Sequence, residues 1–226
     1  MILRYPLTVL VFLIPAILFS LTFHELSHAY ISYKLGDPTA KQMGRLSMNP
    51  LKHLDVLGTI MLLVSSFGWA KPVPINPMYY KNRRQGTMLV SFAGPVSNLI
   101  LAVVFYIPKY YISQKYNVNI NSEFINSWDY RAIIFNLGSV FVIINIGLAA
   151  FNLLPFPPLD GSKILGGFLP PKYYYTMLSY ENYISIAFLL IIFVAPGILS
   201  LIMSPLTAGI GAIAKTIAIP IARLFL

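Results

Sequence analysis

The sequence predicts an all-α polytopic membrane protein, and three observations support this fold class. Of the 226 residues, 57% are hydrophobic and only 10% are charged, whereas soluble domains carry about 25% charged residues. Several apolar stretches approach or exceed the roughly 20 residues that a helix needs to cross a bilayer. These stretches run from one end of the chain to the other. We therefore expect one membrane-embedded domain over residues 1–226, with a core at 7–161 and C-terminal helices at 183–226.

Four segments are long and apolar enough to be full spans. In chain order they are Leu7–Tyr33, Thr87–Ile107, Ala132–Leu154 and Tyr183–Met203. A helix rises about 1.5 Å per residue, so each of them can cross a hydrocarbon core of about 30 Å.

The tail after Leu206 is also apolar, but Lys215, Pro220 and Arg223 interrupt it. From the sequence, residues 206–226 either span the membrane or lie at its surface. With the tail and the segment after the first span included, we expect about five to six membrane segments.

The segment between the first two full spans is of a different kind. Val56–Ala70 has no charged residue but is only 15 residues long, which is short for a span. Proline-containing pairs on both sides of it, such as Asn49-Pro50 and Asn76-Pro77, favour extended and turn backbone. Irregular backbone at membrane depth is tolerated only where protein buries it or it lines a cavity. We therefore expect a re-entrant or short-strand element here.

Charge and cysteine content exclude several classes of protein. The chain has 16 Lys and Arg against 7 Asp and Glu, but these basic residues are scattered and form no basic helix, so nucleic acid is not an expected partner. It contains no cysteine, which excludes disulfides and thiolate metal ligands. Any metal must be held by His, Asp or Glu.

The first apolar segment contains an H-E-x-x-H sequence, from His24 to His28. On a helix, positions i and i+4 share a face, so both imidazoles can reach one zinc ion. Glu25 then lies beside the metal, where it can take a proton from water. A charged group near mid-bilayer costs about 2.5–3.5 kcal/mol, which favours a function for this cluster. The alternative is a hydrogen-bonded cluster that only joins helices.

A catalytic zinc usually has three protein ligands and one open position. The remaining candidates for the third ligand are His53, Asp37, Asp55, Glu123, Asp129, Asp160 and Glu181. Asp160 differs from the others because it follows 28 uncharged residues, 132–159, and closes a proline-rich stretch that interrupts the helix. The alternative for this residue is an ordinary Asp-Gly turn at the membrane surface.

Together, the two motifs resemble those of the site-2 protease family of intramembrane zinc metalloproteases. In that family, an H-E-x-x-H on one membrane helix joins the Asp of an N-x-x-P-x-P-x-x-D-G motif, which matches residues 152–161 here. Residues 49–53, 67–74 and 94–98 look like the compact prokaryotic subgroup that lacks a PDZ domain. The likeness covers residues 23–161. The larger members add a PDZ domain or a leading helix, and we expect neither here.

The resemblance implies one Zn²⁺ per chain, bound by His24, His28 and Asp160, with Glu25 as general base and later general acid. For three further residues, two hypotheses remain open: a direct role in the site or a structural role. Asn98 or Asn152 either donates to the oxyanion that forms during cleavage or bridges helices. His53 either lines the site or is structural.

The implied function is hydrolysis of peptide bonds in transmembrane protein substrates, as in regulated intramembrane proteolysis. The implied partners are these substrates and the lipid bilayer of a prokaryotic cell, and the sequence predicts no oligomeric state. Two alternatives remain open: a membrane zinc hydrolase of a lipid or prenylated substrate, and a non-enzymatic metal-binding scaffold or transporter. A Glu25→Gln variant distinguishes an enzyme from the second alternative.

A re-entrant element at Val56–Ala70 has a topological consequence. It returns the chain to the side it came from, so that Asp160 reaches the same end of the bundle as His24 and His28. The active-site side then holds ten basic residues: Lys34, Lys41, Arg45, Lys52, Lys71, Lys81, Arg83, Arg84, Lys163 and Lys172. The other side holds four: Arg4, Lys109, Lys115 and Arg131. By the positive-inside rule, the active-site end faces the cytoplasm.

Overall fold

The computed structural model describes residues 6–65, 68–116 and 127–226; Arg4 and Glu123 lie outside these ranges. Within them the chain forms nine α-helices: α1 (Leu7–Lys34), α2 (Thr39–Gln42), α3 (Val56–Ser65), α4 (Arg83–Lys115), α5 (Tyr130–Asn152), α6 (Asp160–Phe168), α7 (Pro171–Ser179), α8 (Glu181–Val194) and α9 (Pro196–Arg223). The same ranges contain no β-strand, only an antiparallel bridge between Leu54 and Ala70. The prediction of an all-α membrane protein is confirmed.

Four of the described helices, α1, α4, α5 and α9, are long and apolar enough to cross a membrane. Helices α7 and α8 are bent by 60° at a short break and count as a fifth candidate if taken together. Helix α3 has only 10 residues. The described residues thus contain four or five candidate spans and one short apolar helix, close to the predicted five to six segments.

The structure corrects the fourth predicted span. Tyr183–Met203 is not one helix, because α8 ends at Val194 and α9 begins at Pro196. Ala195 between them has φ −134° and ψ 57°. A proline has no N–H to donate and disfavours helical backbone in the residue before it, which accounts for this break. The tail that the sequence left undecided is the second half of α9, a helix of 28 residues.

Helix α4 is the centre of the bundle and packs against α1, α5, α6 and α9. Small residues allow the close approaches, as is usual between membrane helices. For example, a Cβ on Gly138 of α5 would lie 2.9 Å from the Phe105 carbonyl oxygen of α4. Near the end of α5, Ala149 and Ala150 pack against Ile210 of α9. Helix α1, which carries His24 and His28, and helix α6, which carries Asp160, are therefore both positioned by α4.

The residues between α1 and α4 form a hairpin around α3. Besides the Leu54–Ala70 bridge, the Lys71 N–H donates to the His53 carbonyl at 2.8 Å. Gly58 is in close contact with Trp69, where a Cβ would lie 3.0 Å from the indole ring. The chain therefore leaves and returns at one point, as expected for a re-entrant element. The predicted short strands are reduced to this bridge.

Asp37 connects the end of α1 to Asn76 by hydrogen bonds. Its carboxylate is fully buried and accepts hydrogen bonds from the Asn76 N–H at 2.7 Å, the Thr39 N–H at 2.9 Å and the Ser32 hydroxyl at 2.8 Å. Burial by itself raises the pKa of Asp37, but the hydrogen bonds from Asn76 and Thr39 outweigh it and the pKa lies below its usual value. Asn76, the residue that follows segment 71–75, is thereby held at the end of α1.

Candidate metal centre

Three side-chain atoms from two separate helices meet at one point. The Nε2 atoms of His24 and His28 lie 3.0 Å apart, and Asp160 Oδ2 lies 3.2 Å from the first and 3.1 Å from the second. A tetrahedral zinc ion with bonds of about 2.0–2.1 Å separates its ligands by about 3.3 Å. The spacing of these three atoms therefore fits one zinc ion.

The hydrogen bonds behind the site support a cation at this point. His28 Nδ1 donates to the Val90 carbonyl at 2.7 Å, and His24 Nδ1 contacts the Asn98 amide oxygen at 2.6 Å. With Nδ1 protonated, each Nε2 carries a lone pair. Asp160 Oδ2 is buried and has no hydrogen-bond partner among the described residues. Three electron-pair donors thus face each other, an arrangement that a divalent cation stabilises.

Each ligand is positioned by its own element. His24 and His28 are one turn apart on α1. Asp160 is the first residue of α6, and the next residue, Gly161, packs so closely on the Leu153 carbonyl carbon that a Cβ would lie 2.5 Å from it. At the other end of α6, Arg84 of α4 donates to the Gly166 carbonyl at 2.9 Å.

Gly94 of α4 makes room for both imidazoles. A Cβ at this residue would lie 2.6 Å from His24 Nε2 and 2.6 Å from His28 Cε1. The imidazoles thus pack directly on the backbone of α4, which explains the glycine in the Gly94–Asn98 motif.

Replacing Gly94 with alanine should lower zinc affinity by at least about tenfold and destabilise the fold by about 1–3 kcal/mol, because the added methyl group displaces both imidazoles. Gly147→Ala is the matched control, since a Cβ on Gly147 of α5 would meet nothing within 4 Å. Chelator competition on the purified variants measures the affinity. Equal zinc affinity in both variants would contradict this role for Gly94.

Glu25 borders a cleft of about 550 Å³ that opens onto the three ligands. The cleft is lined by residues of α1, α4, α5, α6 and α8 and of the hairpin, among them Trp69, Val73, Asn152, Lys163, Glu181 and Phe188. Glu25 Oε2 accepts a hydrogen bond from the Val73 N–H at 3.1 Å. The segment that supplies this N–H is held by the buried Arg45, which donates to the Lys71 and Pro72 carbonyls at 2.5 and 3.2 Å.

The three further predicted residues fall in different places. Asn152 lines the cleft, and its amide donates to the Leu148 carbonyl at 3.0 Å. Asn98 does not line the cleft; it lies behind His24 and is fully buried. His53 is also buried away from the cleft, where its Nε2 bonds to the Ser47 carbonyl at 2.8 Å. Asn98 and His53 therefore lie away from the cleft, whereas Asn152 borders it.

Several residues that support the site were not predicted from the sequence. They include Arg45, Val90 and Asn145. A signal existed for Asn145, because an amide inside an otherwise apolar span requires a polar partner. No sequence signal identifies Val90, because its contribution comes from the backbone carbonyl.

The fold and this site together define a class: a helical membrane protein with a candidate His-His-Asp metal site and a glutamate at the edge of an open cleft, as in metallohydrolases. The model of Peptidase family M50 matches residues 12–194. The chain therefore belongs to peptidase family M50, the family of the site-2 proteases, and is a zinc metalloprotease of the membrane.

Individual relatives agree with this assignment. The chain is 44% identical over 195 residues to the "Putative zinc metalloprotease YwhC" of Bacillus subtilis, covering 86% of this chain and 85% of the relative. It is 28% identical over 165 residues to the "Zinc metalloprotease MJ0392" of Methanocaldococcus jannaschii, covering 71% of this chain and 36% of the relative. No solved structure matches the chain significantly.

Proposed function

We propose that this protein hydrolyses peptide bonds of transmembrane protein substrates within the bilayer, and that residues 1–226 act as one membrane domain. We assign one Zn²⁺ per chain to His24, His28 and Asp160. The observation that carries the proposal is the convergence of these ligands at a cleft bordered by Glu25, inside a bundle of membrane-length helices.

When bound, zinc polarises the scissile carbonyl and lowers the pKa of a water molecule that it holds to about 7. The protein's own residues do the rest. Glu25 accepts the proton of the attacking water and passes it to the leaving amine. Asn152, which lines the cleft, has an amide that can donate to the oxyanion after a change of rotamer.

The size of the cleft limits what can enter it. The cleft measures about 550 Å³, which is within the range of about 300–1,000 Å³ typical of small-molecule pockets. It therefore suits a short segment of substrate better than a whole transmembrane helix. Since a helix also hides its carbonyl groups in hydrogen bonds, we propose that a short stretch of substrate unwinds and enters the cleft in extended form.

The charge distribution supports an active-site end that faces the cytoplasm. Helix α9 starts near the active-site end, where Met203 packs close to Leu154, and Lys215 further along it lies near Lys109 at the far end of α4. Lys215 and Arg223 therefore raise the basic residues on the far side from four to six, against ten on the active-site side. A single cysteine introduced at the exposed Lys52 should react only from inside the cell; labelling from outside would reverse this orientation.

Cleavage in vesicles tests the proposed substrate class. The purified protein is reconstituted with zinc and offered a single-span membrane protein, the same span with glycine or proline inserted to weaken its helix, a lipid ester, and a prenylated soluble peptide. We expect cleavage of the single-span protein, faster when its helix is weakened, and no cleavage after chelator treatment. Cleavage of only the lipid or the prenylated peptide, or zinc transport without hydrolysis, would overturn the proposal.

A further inference from the structure

A chain of hydrogen-bonded polar side chains runs from His24 through three helices. The Asn98 amide nitrogen of α4 donates to Asn145 Oδ1 of α5 at 2.8 Å. The Asn145 amide nitrogen in turn donates to the Ser20 hydroxyl of α1 at 2.8 Å and to the Phe141 carbonyl at 2.9 Å. Ser20, Asn98 and Asn145 are all 0% exposed. This chain lies behind the metal centre, on the side of His24 that faces away from the cleft.

The Phe141 carbonyl determines which group donates and which accepts in each of these hydrogen bonds. A carbonyl can only accept, so the –NH₂ group of Asn145 must face Phe141 and its Oδ1 must face Asn98. The –NH₂ group of Asn98 then faces Asn145, and its Oδ1 faces His24. Because Asn98 Oδ1 also can only accept, His24 Nδ1 must carry the proton. Nε2 is thereby left with the lone pair that points at Asp160 and His28.

We propose that Asn145 is a positioning residue, which fixes the tautomer and ring orientation of His24 through Asn98. This inference rests on the proposed metal site. His28 needs no such chain, since its Nδ1 contacts the Val90 carbonyl directly. A backbone carbonyl thus fixes the tautomer of each imidazole. The Val90 carbonyl acts on His28 directly, and the Phe141 carbonyl acts on His24 through the amides of Asn145 and Asn98.

A role in joining helices alone makes a different prediction. An amide pair stabilises a helix contact whichever way its two groups point, whereas the tautomer of His24 depends on the direction. Partners behind a metal ligand typically contribute about 10–100-fold to metal affinity. A test must therefore compare a variant that frees the orientation of the Asn98 amide with one that removes a hydrogen bond but keeps this orientation.

The first test compares two variants of the full-length protein in detergent. Asn145→Leu keeps a side chain of similar shape but removes the amide, so Asn98 is free to turn its –NH₂ group toward His24. We expect zinc affinity to fall about 10–100-fold, and the visible absorption bands of bound Co²⁺ to change. Ser20→Ala removes one acceptor but leaves the Phe141 carbonyl, so its zinc affinity and Co²⁺ spectrum should match wild type. Equal effects of the two variants would overturn the proposal.

The second test removes the need for Asn145. A carboxylate at residue 98 accepts on both oxygens, so Asn98→Asp fixes the His24 proton at Nδ1 without help. In that background Asn145 Oδ1 faces a second acceptor, and Asn145→Leu should leave zinc affinity unchanged or raise it. A purely structural role predicts the same loss in both backgrounds, and that result would overturn the proposal. If Asn98→Asp fails to fold, as judged by helix content, the comparison with Ser20→Ala decides.

These zinc and cobalt measurements do not depend on any substrate. Failure of the proposed function would appear as absent cleavage by a protein that binds zinc normally. Failure of this inference would appear as normal zinc binding by Asn145→Leu.

Discussion

Replacing Glu25 with glutamine should lower peptide-bond cleavage by roughly 10²–10⁴-fold and leave bound zinc unchanged, because the variant removes the general base without touching a ligand. Glutamine has the same shape as glutamate, and its amide oxygen can still accept the hydrogen bond that Val73 donates to Glu25 Oε2. Its amide cannot take a proton from water. Cleavage rate and zinc content, measured on the same preparation, check the two halves of this expectation.

Ser27→Ala is the control, because it changes another residue of the same H-E-x-x-H motif. Ser27 lies between the two histidines, but its hydroxyl donates to the Phe23 carbonyl at 2.7 Å and does not reach the cleft. This variant should keep both zinc and cleavage. Near-wild-type cleavage by Glu25→Gln would remove Glu25 from the mechanism, and a metal transporter or scaffold would keep its function in that variant.

Asp160→Asn should reduce zinc affinity by more than about 100-fold and abolish cleavage. Changes behind metal ligands already cost about 10–100-fold, and this change is to a ligand itself. A neutral amide is a poor zinc ligand, and if its –NH₂ group faces the two Nε2 atoms, it donates a hydrogen bond where the carboxylate offered a lone pair. Metal analysis after dialysis gives the zinc content per chain.

The matched control removes a different buried carboxylate. Asp37→Asn replaces one of the two carboxylate oxygens with an –NH₂ group, so one of the two backbone N–H donors, that of Thr39 or that of Asn76, loses its acceptor. This change should destabilise the fold by about 1–3 kcal/mol, while its zinc affinity stays near wild type. Thermal unfolding and chelator competition separate the two effects. An Asp160→Asn protein that retains one zinc per chain would show that the third ligand is a different residue.

The sequence indicated the three candidate ligands but not the scaffold around them. His24 and His28 were predicted because an i, i+4 pair shares a helix face, and Asp160 because it follows 28 uncharged residues and matches the family motif. The role of Asn98 was not predictable. Its orientation depends on Asn145, 47 residues away on another helix, and no local pattern encodes that contact.

The prediction of the C-terminal helix boundaries was wrong for a different reason. A count of apolar residues measures whether a segment tolerates lipid, not whether its backbone is continuous. Pro196 was a visible signal for the end of a helix, but the apolar residues on both sides of it made Tyr183–Met203 look like one span. In the structure the helix breaks at Ala195, and α9, which begins after the break, is the helix long enough to cross the membrane.

Helix α4 supplies none of the three proposed metal ligands, yet three of its residues, spaced by four, lie against the two histidines. Val90 accepts from His28, Gly94 leaves space for both imidazoles, and Asn98 contacts His24. One residue added or lost between Val90 and Asn98 would turn the rest of the helix by about 100° and carry part of this face away from the histidines. The spacing of these three residues is therefore constrained as strictly as the side chains at residues 94 and 98.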